Sequence, residues 1–192
     1  MTKKRISIFA SGGGSNAERF FEFFQNDQDI EIVSLFTNNK SAGVIERAKR
    51  FNIPYHIYNR NYWQNGEVII DLLKSQKVDY IVLAGFMLLI PDELVSAYPD
   101  KIFNIHPALL PKFGGKGMYG MNVHKAVKEA REATSGITIH YVNEHYDEGQ
   151  IISQVSCPIE LSDTVEEIAK KVLALEHKNY PKVIAEVVRK SI

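Results

Sequence analysis

The chain has 192 residues, and its 23 basic and 23 acidic side chains give a formal charge of zero. This balance disfavours a nucleic-acid-binding protein, and the single cysteine excludes a disulfide framework and a four-cysteine zinc site. The apolar runs at residues 6–10 and 80–90 are too short for a signal peptide and for a membrane helix of about 18 residues. We therefore expect one cytoplasmic domain without nucleic-acid or membrane partners.

The first half of the chain alternates apolar stretches of strand length with amphipathic stretches of helix length. Strands are predicted at residues 5–10, 30–37, 53–58 and 78–84, and helices at residues 15–25, 43–51 and 67–75. This alternation predicts right-handed βαβ units and an open, mainly parallel sheet with helices on both faces.

The second half has a different rhythm. A strand at 102–105 precedes a glycine-rich loop at 107–121, and the later elements are a helix at 123–131, strands at 137–142 and 150–157, and a helix at 165–188. No clear helix separates the last two strands, so some antiparallel pairing is expected there. Pro181 should kink or divide the final helix. The whole pattern predicts an α/β fold whose ligand crevice lies at the carboxyl ends of the strands.

A glycine turn, Ser11-Gly12-Gly13-Gly14-Ser15-Asn16, joins the first strand to the first helix. Glycine lets backbone N–H groups approach a ligand, and a helix start adds free N–H donors, so phosphate is the expected occupant. Ser15 and Asn16 could cap the helix or donate to phosphate oxygens. A tight turn without a ligand is the alternative interpretation.

The same turn also fits the G-x-G-x-x-[G/A] pattern of dinucleotide-binding proteins, through Gly12, Gly14 and Ala17. That pattern needs an acidic residue after the second strand to hold a ribose, and residues 37–40 contain none. NAD is therefore disfavoured. Lys40 could suit a 2′-phosphate, which keeps an NADP-dependent oxidoreductase as an alternative.

Asn104 and His106 lie two residues apart at the end of a predicted strand. Alternate residues of an extended segment point to the same side, and Pro107 favours an extended His106, so the two side chains should project together. An amide donor beside an imidazole can bind an oxygen that gains negative charge, and the imidazole can deliver a proton.

A carboxylate from elsewhere in the chain would favour the protonated imidazole. The polar turn between the last two predicted strands offers three candidates that spacing alone does not separate, namely Glu144, Asp147 and Glu148. The other histidines show no metal-ligand spacing such as H-E-x-x-H, so we expect no metal site.

Five stretches spread over nearly the whole chain resemble the folate-dependent glycinamide ribonucleotide formyltransferase family. They lie at residues 11–16, 82–87, 104–112, 140–149 and 176–177, and Asn-x-His-Pro-x-Leu-Leu-Pro is specific to the wider formyltransferase superfamily. The resemblance implies a Rossmann-like formyltransferase fold in a single domain, 1–192. Its phosphate-binding half would cover about residues 1–100, and its catalytic and folate half about residues 101–192.

The resemblance implies formyl transfer from 10-formyltetrahydrofolate to the amine of glycinamide ribonucleotide, a reaction of purine synthesis. Asn104 and protonated His106 would stabilise the oxyanion of a tetrahedral intermediate, and His106 would be the general acid towards the departing folate nitrogen. Asp147, at the family's aspartate position, would hold His106 charged. Another amine acceptor, such as a sugar nucleotide, is the alternative within the superfamily.

The resemblance also assigns binding residues. The nucleotide phosphate would bind at Gly13, Gly14, Ser15 and Asn16. Glu176 would contact the ribose or the acceptor amine, although by itself it is typical of a solvated helix carboxylate. The folate would contact Asn104 and two further segments, which comprise Met87, Leu88, Leu89, Ile90, Asn143, Glu144, His145, Tyr146 and Asp147. Without the resemblance, residues 87–90 would equally suit core packing. The expected partners are the two substrates, and the expected state is a monomer or homodimer.

Two features depart from the family's pattern. Leu88 stands where many members carry a basic residue, which removes any electrostatic help to the folate from that position. The loop at residues 113–122 is longer and richer in glycine than the family's short linker. It is predicted to be either a mobile lid over the folate tail or an ordinary surface excursion.

Overall fold

The computed structural model describes residues 2–63 and 66–191, which form seven strands and seven helices. Their bounds in chain order are β1 (Lys4–Phe9), α1 (Ser15–Phe24), β2 (Ile30–Thr37), α2 (Val44–Arg50), β3 (Tyr55–Ile57), α3 (Arg60–Trp63), α4 (Glu67–Ser75), β4 (Tyr80–Leu83), α5 (Asp92–Ala97), β5 (Ile102–His106), α6 (Met121–Glu129), β6 (Thr134–Tyr141), β7 (Ile151–Pro158) and α7 (Val165–Arg189).

The strands form one sheet in the order β3-β2-β1-β4-β5-β6-β7. β1 pairs in parallel with β2 and β4, and β2 pairs in parallel with β3, whereas β6 and β7 are antiparallel. The predicted α/β class, with antiparallel pairing in the second half of the chain, is therefore confirmed.

Most predicted elements are present within a few residues of their predicted bounds, and β2 and α4 match at both ends. The short helices α3 and α5 were missed, because four and six residues are too few to show helical periodicity. Of the two outcomes predicted for Pro181, a kink or a division of the last helix, division is wrong, since α7 runs through it. Fully buried Val172 and Tyr180 before the proline, and Ile184 and Val188 after it, hold the helix in place despite the lost backbone hydrogen bond.

The described residues divide into two compact units. The first unit comprises the chain up to Phe103 together with the residues from Ile184 onward, and the second is Asn104–Val183. In the first unit, the fully buried ring of Phe9 packs against Phe36 and Trp63 with ring centroids 5.1 Å apart in each case, and against Phe86 at 5.6 Å. This aromatic cluster anchors the carboxyl end of β1, from which the glycine turn departs.

In the second unit, β6 holds the segment that follows β5. The Thr138 hydroxyl donates to the Ala108 carbonyl at 2.7 Å and accepts from the Leu110 N–H at 3.0 Å. The Gln154 amide donates to the Leu110 carbonyl at 2.9 Å. Gly149 must lack a side chain, because a Cβ there would lie 1.7 Å from the Tyr141 carbonyl oxygen. These contacts fix the chain on both sides of the candidate catalytic residues.

Candidate active site

The glycine turn in the first unit leaves the start of α1 without a side-chain cap. Gly14 occupies the cap position with a φ of 74°, so Ser15 and Asn16 lie inside the helix and do not cap it, which leaves donation to phosphate oxygens as their predicted role. A Cβ at Gly14 would lie 2.3 Å from Val44, whereas a Cβ at Gly12 or Gly13 would meet nothing within 4 Å. The backbone of Gly12 and Gly13 therefore borders open space beside an uncapped helix start, a setting that suits an anion.

Ser11 ties the turn to neighbouring segments of the first unit. Its hydroxyl donates to Asn38 Oδ1 at 2.6 Å and accepts from the Met87 N–H at 2.9 Å, and its own N–H donates to the Gly85 carbonyl at 3.1 Å. Asn38 thus accepts a hydrogen bond from the turn, and it stands after the second strand, where the dinucleotide pattern needs a ribose-binding acid. This arrangement weighs further against the oxidoreductase alternative.

Arg47 on α2 braces the same turn, a role that the sequence analysis missed. Its Nε donates to the Gly13 carbonyl at 2.7 Å, and its guanidinium pairs with Glu18 on α1. Arg50 pairs with the same carboxylate, which is only 12% exposed. No motif marks Arg47, because its partner on the turn is a backbone carbonyl.

In the second unit, the structure brings together the three side chains that the sequence analysis assigned to catalysis. His106, at the end of β5, places Nδ1 3.4 Å from Asp147 Oδ2. Asn104 and Asp147 both approach His140 on β6: Asn104 Nδ2 lies 3.2 Å and Asp147 Oδ1 3.7 Å from its Nε2. His106 and His140 are buried, whereas the competing carboxylates of Glu144 and Glu148 belong to exposed residues.

His106 has an acceptor facing each ring nitrogen. Its Nε2 lies 2.8 Å from the Phe113 carbonyl, which can only accept, so this nitrogen carries a proton. Its Nδ1 faces Asp147, whose Oδ2 also accepts from the Gly115 N–H at 2.9 Å. The beginning of the glycine-rich loop therefore contacts both His106 and Asp147, and its role as a lid over the folate stays a prediction.

His140 was missed as a site residue. Its Nδ1 lies 2.8 Å from the Tyr141 carbonyl, and its Nε2 faces Asn104. Burial lowers the pKa of His140, and His106 adds to the effect, although the Tyr141 carbonyl and Asp147 oppose it. Nothing in the local sequence marks this histidine, because its partners lie on β5 and in the turn after β6.

The other residues assigned by resemblance differ in their surroundings. Glu176 on α7 is only 9% exposed, so the interpretation as a solvated carboxylate is wrong. Burial raises the pKa of Tyr180 well above its ordinary value, and the nearby charge of Glu176 raises it further.

The two predicted folate segments also differ. Met87 and Leu89 are exposed and Leu88 is half-buried, so core packing fits only Ile90, which is 3% exposed. In the other segment, Asn143 and Asp147 are half-buried, and the residues between them, Glu144, His145 and Tyr146, are exposed. The Asn143 side chain accepts from the His145 N–H at 3.0 Å, which shapes the turn.

Three further features concern other kinds of site. Within residues 2–63 and 66–191, no group of three or more His, Cys, Asp or Glu side chains is arranged to hold a metal ion. No helix of that same part of the chain is long and apolar enough to cross a membrane. A cavity of about 310 Å³ in the second unit is lined by residues 109–113 and by Val127, Glu132, Thr134 and Ser135, and none of the predicted site residues lines it.

Comparison with known proteins gives a consistent match. Residues 4–184 match the family model described as formyl transferase. The chain is 42% identical over 99% of its length to phosphoribosylglycinamide formyltransferase, chloroplastic, of Arabidopsis thaliana, and covers 67% of that protein. It is 40% identical over 96% of its length to phosphoribosylglycinamide formyltransferase of Bacillus subtilis (strain 168), and covers 94% of it. The corresponding chloroplastic protein of Vigna unguiculata is covered over only 60% of its length, so the chain spans about two thirds of these plant relatives.

Solved structures give the same result. The crystal structure of phosphoribosylglycinamide formyltransferase from Anaplasma phagocytophilum matches with a TM-score of 0.90 and 33% identity, over 98% of this chain and 89% of that one. The enzyme of the same name from Bacillus halodurans matches with a TM-score of 0.89 and 36% identity, over 98% of this chain and 97% of that one.

Proposed function

Since the chain belongs to the formyl transferase family, among its phosphoribosylglycinamide formyltransferases, we propose that it transfers a formyl group from 10-formyltetrahydrofolate to the amine of glycinamide ribonucleotide. The products are formylglycinamide ribonucleotide and tetrahydrofolate, in the synthesis of purines. The observation that carries this proposal is the joint placement of an amide, an imidazole and a carboxylate, from Asn104, His106 and Asp147, within one compact unit.

These residues match the needs of formyl transfer. The donor supplies a formyl carbon; the acceptor nitrogen bonds to it, and the formyl oxygen gains negative charge. Asn104 has a second amide N–H beyond the one directed at His140, and that N–H would bind the developing oxyanion. The bond to the folate nitrogen then breaks and that nitrogen takes a proton from His106. The proton that the acceptor nitrogen loses passes to His106, directly or through water, so protons balance.

Proton delivery by His106 requires a rearrangement of one contact. The Nε2 proton is held by the Phe113 carbonyl at 2.8 Å, and Nδ1 faces Asp147. Release of Nε2 therefore needs Phe113 to move when the substrates bind. Asp147 would hold the orientation of the His106 ring during this shift, because its carboxylate remains beside Nδ1. The glycines at 114, 115 and 117 give the neighbouring backbone the freedom for such a shift.

Binding roles follow from the surroundings of each residue. We assign the phosphate to Gly13, Gly14, Ser15 and Asn16, a choice supported by the uncapped helix start and the open space beside Gly13. Glu176 offers a nearly buried carboxylate for the ribose hydroxyls or the acceptor amine.

The folate ring is assigned to two segments, residues 87–90 and 143–147. Exposed Met87 and Leu89 supply apolar surface suited to a flat ring, while Leu88 adds none of the charge found in many family members. Because the family model spans residues 4–184, both compact units are assigned to one formyltransferase domain. The monomeric or homodimeric state, the cytoplasmic location and the lack of a nucleic-acid partner stay predictions.

A panel of acceptors tests the proposal. Loss of the formyl group from 10-formyltetrahydrofolate is followed by absorbance with glycinamide ribonucleotide, with an amino-sugar nucleotide, and with no acceptor. Deformylation that requires glycinamide ribonucleotide is expected. Faster reaction with the sugar nucleotide would show that the acceptor is a sugar nucleotide and not glycinamide ribonucleotide. Reaction without any acceptor would indicate a hydrolase. Stabilisation against heat by NADP, with no deformylation, would favour the oxidoreductase.

The matched control for the catalytic site is His56→Ala. His56 lies on β3 in the first unit, and its Nε2 lies 2.9 Å from the Gln76 amide. If formyl transfer depends on His106, His106→Ala loses turnover and His56→Ala keeps it. Equal losses in the two variants would contradict the assigned role of His106.

A further inference from the structure

We propose that His140 is a positioning residue that fixes the orientation of the Asn104 amide, and that a second proton on its ring releases this lock. The inference rests on the proposed function, because it gives the Asn104 N–H the task of binding the oxyanion. Nothing in the residue types alone assigns His140 a role. Its three contacts do so.

The first step is the tautomer of His140. The Tyr141 carbonyl can only accept, so the ring nitrogen 2.8 Å from it, Nδ1, carries the hydrogen. A neutral imidazole has a single N–H, which leaves Nε2 with a bare lone pair. A donor must therefore face Nε2, and the Asn104 atom 3.2 Å away is its amide nitrogen.

The second step is the consequence for Asn104. Turning the amide by 180° would bring its oxygen against the lone pair of Nε2, and two acceptors repel. While His140 is neutral, the amide nitrogen is therefore held in one place, with one N–H engaged and the second free for substrate. Asn104 is half-buried, so this second N–H stays within reach of a ligand. The lock supplies a preoriented donor, which an amide free to rotate would not.

The third step is the effect of a second proton. A charged His140 would donate from both nitrogens, so Asn104 would have to turn its oxygen inward and lose the donor. Three groups face the ring: the Asp147 carboxylate, 3.7 Å from Nε2, the His106 ring, and the Tyr141 carbonyl. Burial lowers the pKa of His140 against the pull of Asp147, which keeps the lock closed near neutral pH. Acid would then open it.

Two substitutions separate the roles of the two ring nitrogens of His140. In His140→Gln, the side-chain amide reaches the position of Nε2 and presents an oxygen to Asn104, without any titration. In His140→Asn, the shorter amide takes the position of Nδ1 and keeps the contact with Tyr141, but does not reach Asn104. A purely structural role for a buried polar group would make the two variants equivalent.

The kinetic test measures kcat and KM for both variants from about pH 8 to pH 5. We expect His140→Asn to lower kcat at least about tenfold, up to the 10²–10³-fold typical of one lost oxyanion donor, with KM unchanged. His140→Gln should restore kcat to near the wild-type value and remove the fall at acid pH that His140 causes. Equal kcat values for the two variants would overturn the proposal, and so would an unchanged acid limb in His140→Gln.

A double-mutant cycle checks that the effect acts through Asn104. In an Asn104→Ala background, His140→Asn should have little further effect on kcat, because the donor that it positions is gone. Full additivity would contradict the lock.

Nitrogen-15 NMR of the imidazole provides a readout independent of turnover: protonated Nδ1 and bare Nε2 are expected in the wild type near neutral pH. The opposite tautomer would refute the inference even if formyl transfer is confirmed. The expected tautomer in a protein without transferase activity would instead refute the proposed function.

Discussion

Substitution by alanine should have different effects at two neighbouring glycines of the turn: it should destabilise the fold at Gly14 and weaken nucleotide binding at Gly13. In Gly14→Ala the new Cβ would lie 2.3 and 2.4 Å from Val44 Cγ2 and Cβ, and 2.9 Å from its Cα, so no rotamer of Val44 relieves the overlap. The φ of 74° adds about 1–2 kcal/mol for a residue with a Cβ, and overpacking adds about 1–3 kcal/mol. The expected loss is about 2–5 kcal/mol of unfolding free energy.

Gly13→Ala meets no atom within 4 Å of its Cβ, so its stability should stay within about 0.5 kcal/mol of the wild type. The methyl group would occupy the open space assigned to the phosphate. Loss of one hydrogen bond to a charged group costs about 1.5–3 kcal/mol, which corresponds to a roughly 10- to 150-fold rise in KM for glycinamide ribonucleotide. KM for the folate should not change.

Thermal melting and steady-state kinetics on the two variants test both statements. For a chain of this length, the melting temperature of Gly14→Ala should fall by roughly 4–20 °C, and that of Gly13→Ala by no more than about 2 °C. A wild-type melting temperature for Gly14→Ala would refute the steric argument. An unchanged KM for the nucleotide in Gly13→Ala would show that the phosphate does not bind at the turn.

Three further predictions concern the second unit. His106→Ala should lower turnover by roughly 10²–10⁴-fold, because the general acid is lost. Asn104→Ala should lower it by about 10²–10³-fold, because the oxyanion donor is lost. A steady-state rate near the wild-type value in either variant would contradict the role of that residue. Asp147→Asn should lower turnover, since the carboxylate beside Nδ1 of His106 is gone; a steady-state rate near the wild-type value would argue against that contact. Burial lowers the pKa of His124 and of His140 from 6.5. Below about that pH, the two histidines therefore bind protons in the unfolded chain but not in the folded chain. The free energy of unfolding by urea should therefore fall as the pH drops from about 7 to about 5, and a constant value would contradict it.

Local patterns in the sequence carry most of the fold. Residues 30–37 and 67–75 have enough apolar and β-branched or amphipathic character to fix their elements at both ends, as β2 and α4 show. The helix α3 is held by tertiary contacts that no local periodicity reveals, since the Trp63 ring packs 5.1 Å from Phe9 and 4.6 Å from Phe86. The helix α5 likewise buries Leu94 and Val95. Pro181 shows the reverse case, in which packing on both sides overrides a strong local signal.

The candidate site was predictable where side chains carry the chemistry. Asn104 and His106 follow from alternation along one strand, whereas the choice of Asp147 over its neighbours needed the family resemblance. The contacts of the Phe113 carbonyl and the Gly115 N–H with these residues were not predictable, because backbone groups have no signature in the sequence. His140 was missed for a related reason, since its role comes from the pairing of distant segments.

The central claim is tested most directly by following the formyl carbon itself. 10-Formyltetrahydrofolate labelled with carbon-13 in the formyl group is mixed with enzyme and glycinamide ribonucleotide, and the label is observed by NMR. The account predicts that the signal moves to the amide of the ribonucleotide, only when both substrates are present, and at a rate that collapses in His106→Ala. Appearance of the label as free formate, or transfer at an undiminished rate in that variant, would contradict it.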